Sequence, residues 1–215
     1  MVRFVNAVPG ESPLVLFWNE SSATPGTAYR SVSQFMPVPA AGPVHFRVRG
    51  GTSDSTVADN SEMLRNEGHY TVVAVPGDSG AVRLTIWRDD VADDSTRGRL
   101  RLLNATRDAN DVRVIIDGEK DPVFDDIDTG RDGDVKNVAP GSATITITRT
   151  GMAKPVRIAD LLRSGGSTHS LIVSGTAAAM DVITLHDDVV RAQARLRSAP
   201  DTADRHLSDT LTRQP

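Results

Sequence analysis

The sequence predicts an all-β chain: two tandem antiparallel β-sandwich domains followed by a polar C-terminal tail. Three observations predict this fold: a long internal repeat, short runs of alternating polarity, and turn signals between those runs. AVRLTIWRDDV begins at residue 81 and AMDVITLHDDV at residue 179, a spacing of 98 residues. This spacing fits one small β domain of about 100 residues. We therefore expect a first repeat over 1–91, an acidic linker over 92–98, a second repeat over 99–190 and a tail over 191–215.

The first strands of the two repeats align at this spacing. VRFVNA at 2–7 falls on LRLLNA at 100–105, and LVLFWN at 14–19 falls on VRVIID at 112–117. Both pairs keep their apolar positions, which predicts equivalent buried strands.

The later strands follow the same pattern after a shift of one residue. VHFRVR at 44–49 aligns with ATITIT at 143–148. Their strict alternation directs Phe46, Val48, Ile145 and Ile147 towards a core. HYTVVAV and HSLIVSG are fuller apolar runs, which are typical of central strands buried on both faces.

Turn signals separate the runs, and polar segments follow each repeat. Pro-Gly, Asp-Gly and Gly-Gly pairs recur between the strands, at the intervals of an antiparallel sandwich. DDVADDSTRG at 89–98 is acidic and small, which predicts a domain boundary. After Asp188, a short helix through Leu196 has a meagre apolar face, so we expect a loosely docked tail.

Composition excludes several classes of protein. The net charge is -4, with 24 Lys and Arg dispersed among 28 Asp and Glu, so we expect no nucleic-acid partner. No apolar run approaches the roughly 18 residues that cross a bilayer, so we expect no membrane span. The chain has no cysteine, which excludes disulfides, thiolate metal sites and cysteine nucleophiles.

Short motifs stand at matching places in the two repeats. The first has RFVNAVP at 3–9, VPAAG at 38–42 and EGHYTVVAV at 67–75; the second has RLLNA at 101–105, VIIDG at 114–118 and VAPG at 138–141. In these motifs the chain resembles two tandem copies of the bacterial domain-of-unknown-function family 4397 (DUF4397), over residues 2–190. The motifs mark strands and turns, so they indicate a fold and not a chemistry.

The resemblance implies an immunoglobulin-like or transthyretin-like sandwich in an exported, cell-envelope or lipid-anchored protein, with no catalytic residue and no cofactor. We therefore expect a non-catalytic binding or structural display module whose ligand is an unknown protein or glycan, with its oligomeric state left open. The start, MVRFVNAVPG, has no export signal. We expect a periplasmic, cell-surface or secreted protein if Met1 follows a removed signal or an upstream lipid anchor, and a cytoplasmic protein otherwise.

Gly77-Asp78-Ser79-Gly80 points to an alternative function. The motif resembles the nucleophile loop of chymotrypsin-like proteases, whose serine needs a histidine base and an orienting acid. Only His45 and His69 precede Ser79, and the aligned loop at 175–179 has no serine. A hairpin turn explains the motif, and a serine hydrolase using Ser79 is kept as the alternative.

Acidic residues give a second alternative, a calcium-stabilised adhesin segment. The candidate ligands lie in DDIDTGRDGD, and they are Asp125, Asp126, Asp128, Asp132 and Asp134. Their spacing does not match the calcium loop with alternating Asp and a distant Glu, so a solvated turn-rich connection is expected and no metal site is assigned. The pairs Asp89-Asp90 and Asp187-Asp188 are further candidates. The histidines have no paired metal-ligand spacing.

Other polar and aromatic residues are predicted to be structural. Asn6 and Asn104 recur at matching places, where their amides can hold the chain leaving the first strand. Trp18 and Trp87 align with Ile116 and Leu185, which predicts packing in a core. Recognition is expected in the loops that differ between the repeats, at 20–33, 50–60 and 120–134.

Overall fold

A computed structural model describes most of the chain. The described residues are 1–10, 13–18, 22–38, 42–50, 55–77, 80–89, 96–152 and 154–188. The expected tail at 191–215 and most of the expected linker lie outside these residues. Among the described residues, no helix is long and apolar enough to span a membrane.

The first domain consists of two sheets. Its strands are β1 (Val2–Asn6), β2 (Leu14–Trp18), β3 (Ser22–Ala23), β4 (Gly42–Gly50), β5 (Thr56–Leu64), β6 (Tyr70–Pro76) and β7 (Val82–Arg88). One sheet has the order β1-β6-β7 and is called the inner sheet, because it faces the second domain. The other has the order β3-β2-β4-β5 and is called the outer sheet.

The second domain repeats this arrangement with one more strand. Its strands are β8 (Gly98–Thr106), β9 (Val112–Ile116), β10 (Phe124–Ile127), β11 (Asp132–Val138), β12 (Gly141–Thr148), β13 (Val156–Arg163), β14 (Ser167–Thr176) and β15 (Ala179–Asp188). The inner sheet has the order β11-β8-β14-β15 and the outer sheet β10-β9-β12-β13. The extra strand, β11, matches residues 32–36, which are not a continuous strand but contact β1 through isolated bridges from Val32 and Met36 and through hydrogen bonds between Ser33 and Phe4.

The predicted fold class is confirmed: the chain is all-β and forms two β domains. Most strand pairs are antiparallel, as expected, but each inner sheet contains one parallel pair, β1 with β6 and β8 with β14. These strands reach the same sheet after the chain has crossed to the outer sheet and back, so no hairpin fixes their relative direction. The alternation of polar and apolar residues along a strand is the same whether its neighbour runs parallel or antiparallel to it. The sequence therefore did not indicate the parallel pairs.

Each domain has its own hydrophobic core between its two sheets. Phe46 and Val48 are fully buried in the first core, together with Trp18, and Ile145 and Ile147 are fully buried in the second. The alternation of β4 and β12 therefore predicted the core faces correctly.

The two equivalent asparagines hold the loops that follow the first strand of each domain. Asn6 donates to the carbonyl oxygen of Thr27 at 3.0 Å and accepts from the amide of Val8. Asn104 donates to the carbonyl oxygens of Ala109 and Ile127 at 2.6 and 2.9 Å. Both side chains are fully buried, so each amide satisfies backbone groups that water cannot reach.

Replacing Asn104 by alanine should lower the free energy of unfolding by about 2–3 kcal/mol, because two buried carbonyl groups lose their donor. Urea denaturation measures the change. Asn137→Ala, at an exposed position of β11, is the control and should cost no more than about 0.5 kcal/mol. Equal losses in the two variants would contradict a structural role for Asn104.

Candidate functional site: the interdomain interface

The two inner sheets pack against each other and form a third apolar cluster. We call this cluster the interdomain interface; each domain contributes five residues, namely Val5, Ala7, Val73, Val75 and Trp87 from the first and Leu103, Ala105, Ile172, Ile183 and Leu185 from the second. It explains why β1, β6, β8 and most of β14 are buried on both faces. The expected burial of β6 and β14 on both faces is therefore confirmed, β1 and β8 share it, and the cover on the second face is the other domain.

Trp87 belongs to this interface and not to the core of its own domain. The expectation of core packing holds for Trp18 only. β7 exposes alternate residues to the two faces of the inner sheet, and both faces are covered. The alignment of Trp87 with the apolar Leu185 therefore indicates burial, but it does not tell whether the residue lies in the core of its own domain or in the interdomain interface.

Two buried ion pairs cross the interface beside the apolar cluster. Arg3 Nη2 lies 2.6 Å from Asp187 Oδ2, and Arg101 Nη2 lies 2.7 Å from Asp89 Oδ1. The four side chains are between 2% and 11% exposed. Charges that are this deeply buried are stable only when they are paired and hydrogen-bonded.

Neighbouring groups fix the two guanidinium groups, partly from their own domain and partly from the opposite one. Arg3 Nε donates to Thr71 Oγ1 at 2.8 Å, and Arg101 Nε donates to Ser170 Oγ at 3.0 Å. The Arg101 guanidinium also lies over the Trp87 ring, 4.0 Å from its centroid. The planar group is thereby held in one orientation, which favours the short contact with Asp89.

The ion pairs are related by an approximate two-fold axis. Arg3 and Asp89 in the first domain occupy the positions of Arg101 and Asp187 in the second. Each arginine contacts the aspartate of the other domain, so the same contact occurs twice. This reciprocity is characteristic of interfaces between two identical surfaces.

Burial raises the pKa of Asp89 above the ordinary aspartate value, and the charges of Arg101 and Arg3 act against this shift. Hydrogen bonds from Arg101 and from the hydroxyl of Thr71, at 2.5 Å, also favour the carboxylate. The arginines are therefore what makes a charged Asp89 tolerable in this interface.

At the other end of the interface, a second set of contacts joins the two domains. Arg30 pairs with Asp181 at 2.5 Å, and Tyr29 donates to Ser174. Arg83 donates to the carbonyl oxygen of Gly130, and Arg107 Nη2 donates to that of Pro9 at 2.5 Å. A cavity of about 390 Å³ opens beside the last two contacts.

The acidic candidates for a metal site are only partly brought together. Asp126 and Asp128 lie near Asp111, with one carboxylate oxygen of each within 4.8 Å of the others. A hydrogen bond with Asp111, followed by its charge, raises the pKa of Asp126. Asp111 precedes the acidic stretch in the sequence, so the spacing within that stretch gave no signal for it.

The other acidic candidates have different surroundings. Asp125 pairs with Arg113 at 2.6 Å, Asp132 accepts from Trp87 Nε1, and Asp134 is exposed. Asp89 and Asp187 form the interdomain ion pairs. Asp90 and the side chain of Asp188 lie outside the described residues.

The groups expected for a serine hydrolase are only partly described. Ser79 lies outside the described residues, between Gly77 and Gly80. His45 is exposed and lies 3.0 Å from Asp59. His69 precedes β6 and Gly77 follows it, so these two residues lie at opposite ends of the strand, about 25 Å apart.

Sequence reasoning missed a contact between two histidines. His169 and His186 are directly opposite in the β14–β15 hairpin, and their ring nitrogens approach to 3.1 Å. Their equal distances from the turn at Ala177-Ala178 were a signal for this pairing.

Comparisons with known proteins agree with the motifs of the first domain. The family model "Domain of unknown function (DUF4397)" matches residues 1–115, which contain β1–β8 and reach into β9. Among solved structures, the chain is similar to a "putative cell adhesion protein" from Bacteroides uniformis ATCC 8492, with 10% identity and a TM-score of 0.31. That alignment covers 87% of this chain and 98% of the other. A search of curated proteins finds no match.

Replacing Arg101 by methionine should lower the free energy of unfolding by about 3–5 kcal/mol at pH 7, because Asp89 is left as a buried charge without its main partner. The loss should shrink towards pH 4. Arg101 lowers the pKa of Asp89, so its removal raises that pKa further, and the folded variant gains more stability than the unsubstituted protein when Asp89 is protonated as the pH falls.

Denaturant unfolding at several pH values measures both effects. The control is Arg113→Met, because Arg113 and its partner Asp125 are each about half exposed; its loss should stay within about 1 kcal/mol. A loss for Arg101→Met that is no larger, or that does not fall with pH, would contradict the role assigned to the buried pair.

Proposed function

The chain belongs to the DUF4397 family of domains of unknown function, and we propose that it is a non-catalytic module of the cell envelope that binds or displays a partner. In this proposal the two sandwiches act as one rigid body, and the loops at the end away from the linker make contact with the partner. The ligand is a protein or a glycan.

The observation that carries the proposal is the interdomain interface. Its apolar cluster and two buried ion pairs hold the domains in one relative orientation. A misaligned pair of domains would separate Arg3 from Asp187 and Arg101 from Asp89, and a buried charge that loses its partner costs several kcal/mol. A fixed orientation suits a protein that presents a composite surface, whereas enzymes commonly place their reacting groups where domains or loops move.

The uses of the buried polar side chains also support a structural role. Asn6 and Asn104 hold loops, and Arg3, Asp89, Arg101 and Asp187 hold the domains together. Asp89, which has a raised pKa, is committed to Arg101 and Thr71. This perturbed carboxyl group therefore has structural partners, which is the common alternative to catalysis.

The proposal includes a second copy of the same domain over β8–β15. Its support is the matching strand order, the shared parallel pair, and the equal bonding of Asn6 and Asn104. The location in the cell envelope rests on the motifs of both halves. Fractionation of cells that express the native gene tests it, and recovery in the cytoplasm alone would refute it.

Rigidity can be measured because the chain has no cysteine. Met63→Cys on β5 and Arg157→Cys on β13, both exposed, place one spin label on each outer sheet. Double electron–electron resonance should give one narrow distance distribution in the full chain. Ile183→Lys, which puts a charge into the interface, should broaden it, and a broad distribution without that substitution would refute a rigid module.

Catalysis is tested with fluorophosphonate probes and a panel of ester, peptide and glycoside substrates. We expect no labelling and no turnover above the level of Ser79→Ala. Covalent labelling of the chain that disappears in Ser79→Ala would replace the proposed function by a serine hydrolase.

A further inference from the structure

The approximate symmetry of the interface is broken at one pair of equivalent contacts. Arg30 and Gly130 occupy the same position, since their amides donate to Asn6 and Asn104 and both have positive φ angles. The register of the inner sheets makes Arg83 equivalent to Asp181. One contact is therefore the ion pair Arg30–Asp181, whereas the other is Arg83 with a backbone carbonyl.

The broken contact leaves a cation beside a cavity. The cavity of about 390 Å³ is lined by both Arg83 and Arg107, with Thr129, Gly130, Pro76 and Ala81 among the other walls. Within the described residues, Arg83 and Arg107 make no salt bridge with a carboxylate. Asp78 and Ser79 lie outside those residues.

Both guanidinium groups are positioned by the opposite domain. Arg83 of the first domain donates to Gly130 of the second, and Arg107 of the second donates to Pro9 of the first. Each guanidinium has five N–H donors, so one bond to a carbonyl leaves most of them available. The groups are thus held in place without being neutralised.

Gly130 is the residue that gives Arg83 its position. A Cβ atom on Gly130 would lie 2.7 Å from Arg83 Nη2, so any side chain at this position would displace the guanidinium group. The equivalent residue, Arg30, carries a side chain that reaches Asp181 instead. The second domain thus has Gly130 where the first has Arg30. It lacks the cation of that arginine, and the space is open to Arg83 of the first domain.

We propose that the cavity between Arg83 and Arg107 binds a small ligand through an oxyanion: a carboxylate, sulfate or phosphate. Guanidinium groups recognise such anions through paired hydrogen bonds. The volume falls within the range of about 300–1,000 Å³ for small-molecule sites, which often lie between domains. This inference deepens the proposed binding function by giving a class of ligand.

Isothermal titration at 20 mM salt tests the site in the full chain. The probes are inorganic sulfate and phosphate, glucuronate, a galacturonate trisaccharide and a sulfated disaccharide, with glucose as the neutral control. We expect at least one anion to bind and glucose not to bind. Raising the salt to 200 mM should weaken binding, because the contact is ionic and exposed.

Two substitutions and a matched control locate the binding. Arg83→Gln and Arg107→Gln should each weaken binding about tenfold, as expected for a hydrogen bond to a charged group. Arg30→Gln, which removes the equivalent cation that is already paired with Asp181, should change it less than twofold. All three residues are exposed, so these variants should fold, and their melting temperatures verify it.

Ala81→Glu is a second test that leaves both arginines in place. The new carboxylate on the wall of the cavity should compete with the ligand and abolish binding. Binding by the sugar acids but not by the free ions identifies a glycan as the source of the anion, and the reverse identifies a free anion.

The inference is overturned if no anion binds better than glucose, or if binding survives in Arg83→Gln, Arg107→Gln and Ala81→Glu. These outcomes are separate from those that refute the proposed function. A rigid, probe-negative chain that binds no anion would remain a display module with another ligand.

Discussion

The structure depends on one constraint: the inner sheet of each domain is apolar on both faces. A sandwich normally covers one face of a sheet and leaves the other to solvent. Here β1, β6, β8 and much of β14 are buried on both faces, so each inner sheet needs the other domain as its second cover. The two sandwiches therefore form a stack of four sheets with three apolar layers. The association of the domains follows from the composition of their central strands.

The buried charges determine how the inner sheets align. Apolar faces attract each other with little directional preference, and a cluster of Val, Leu and Ile would tolerate several alignments. Arg3 with Asp187 and Arg101 with Asp89 tolerate only one, because any displacement separates buried charges from their partners. The hydroxyl groups of Thr71 and Ser170 hold the arginines of their own domains ready for that alignment, and the ring of Trp87 packs on Arg101 from the opposite domain once the alignment is reached. Attraction and specificity are thus supplied by different residues in the same interface.

The sequence predicted local features well and distant contacts poorly, for a physical reason. Alternation identified Phe46, Val48, Ile145 and Ile147 as core residues, since it depends on neighbours along one strand. The spacing of 98 residues identified the two domains. Parallel pairing, the interface position of Trp87 and the pair of Arg3 with Asp187 depend on residues far apart in the chain. The same holds for Asp111 beside Asp126, where neither residue marks the other in the sequence.

The reciprocal contacts of Arg3 and Arg101 have a consequence for how such a protein changes under mutation. In a homodimer, one codon supplies both sides of the axis, so any substitution alters the two sides together. Here the two sides are encoded separately within one chain. A substitution at one of the two contacts leaves the other contact intact. A new side chain therefore has to fit the interface at one place and not at two. The glycine at 130 and the arginine at 30 illustrate this freedom: two equivalent positions that are encoded separately carry different side chains and therefore make different contacts.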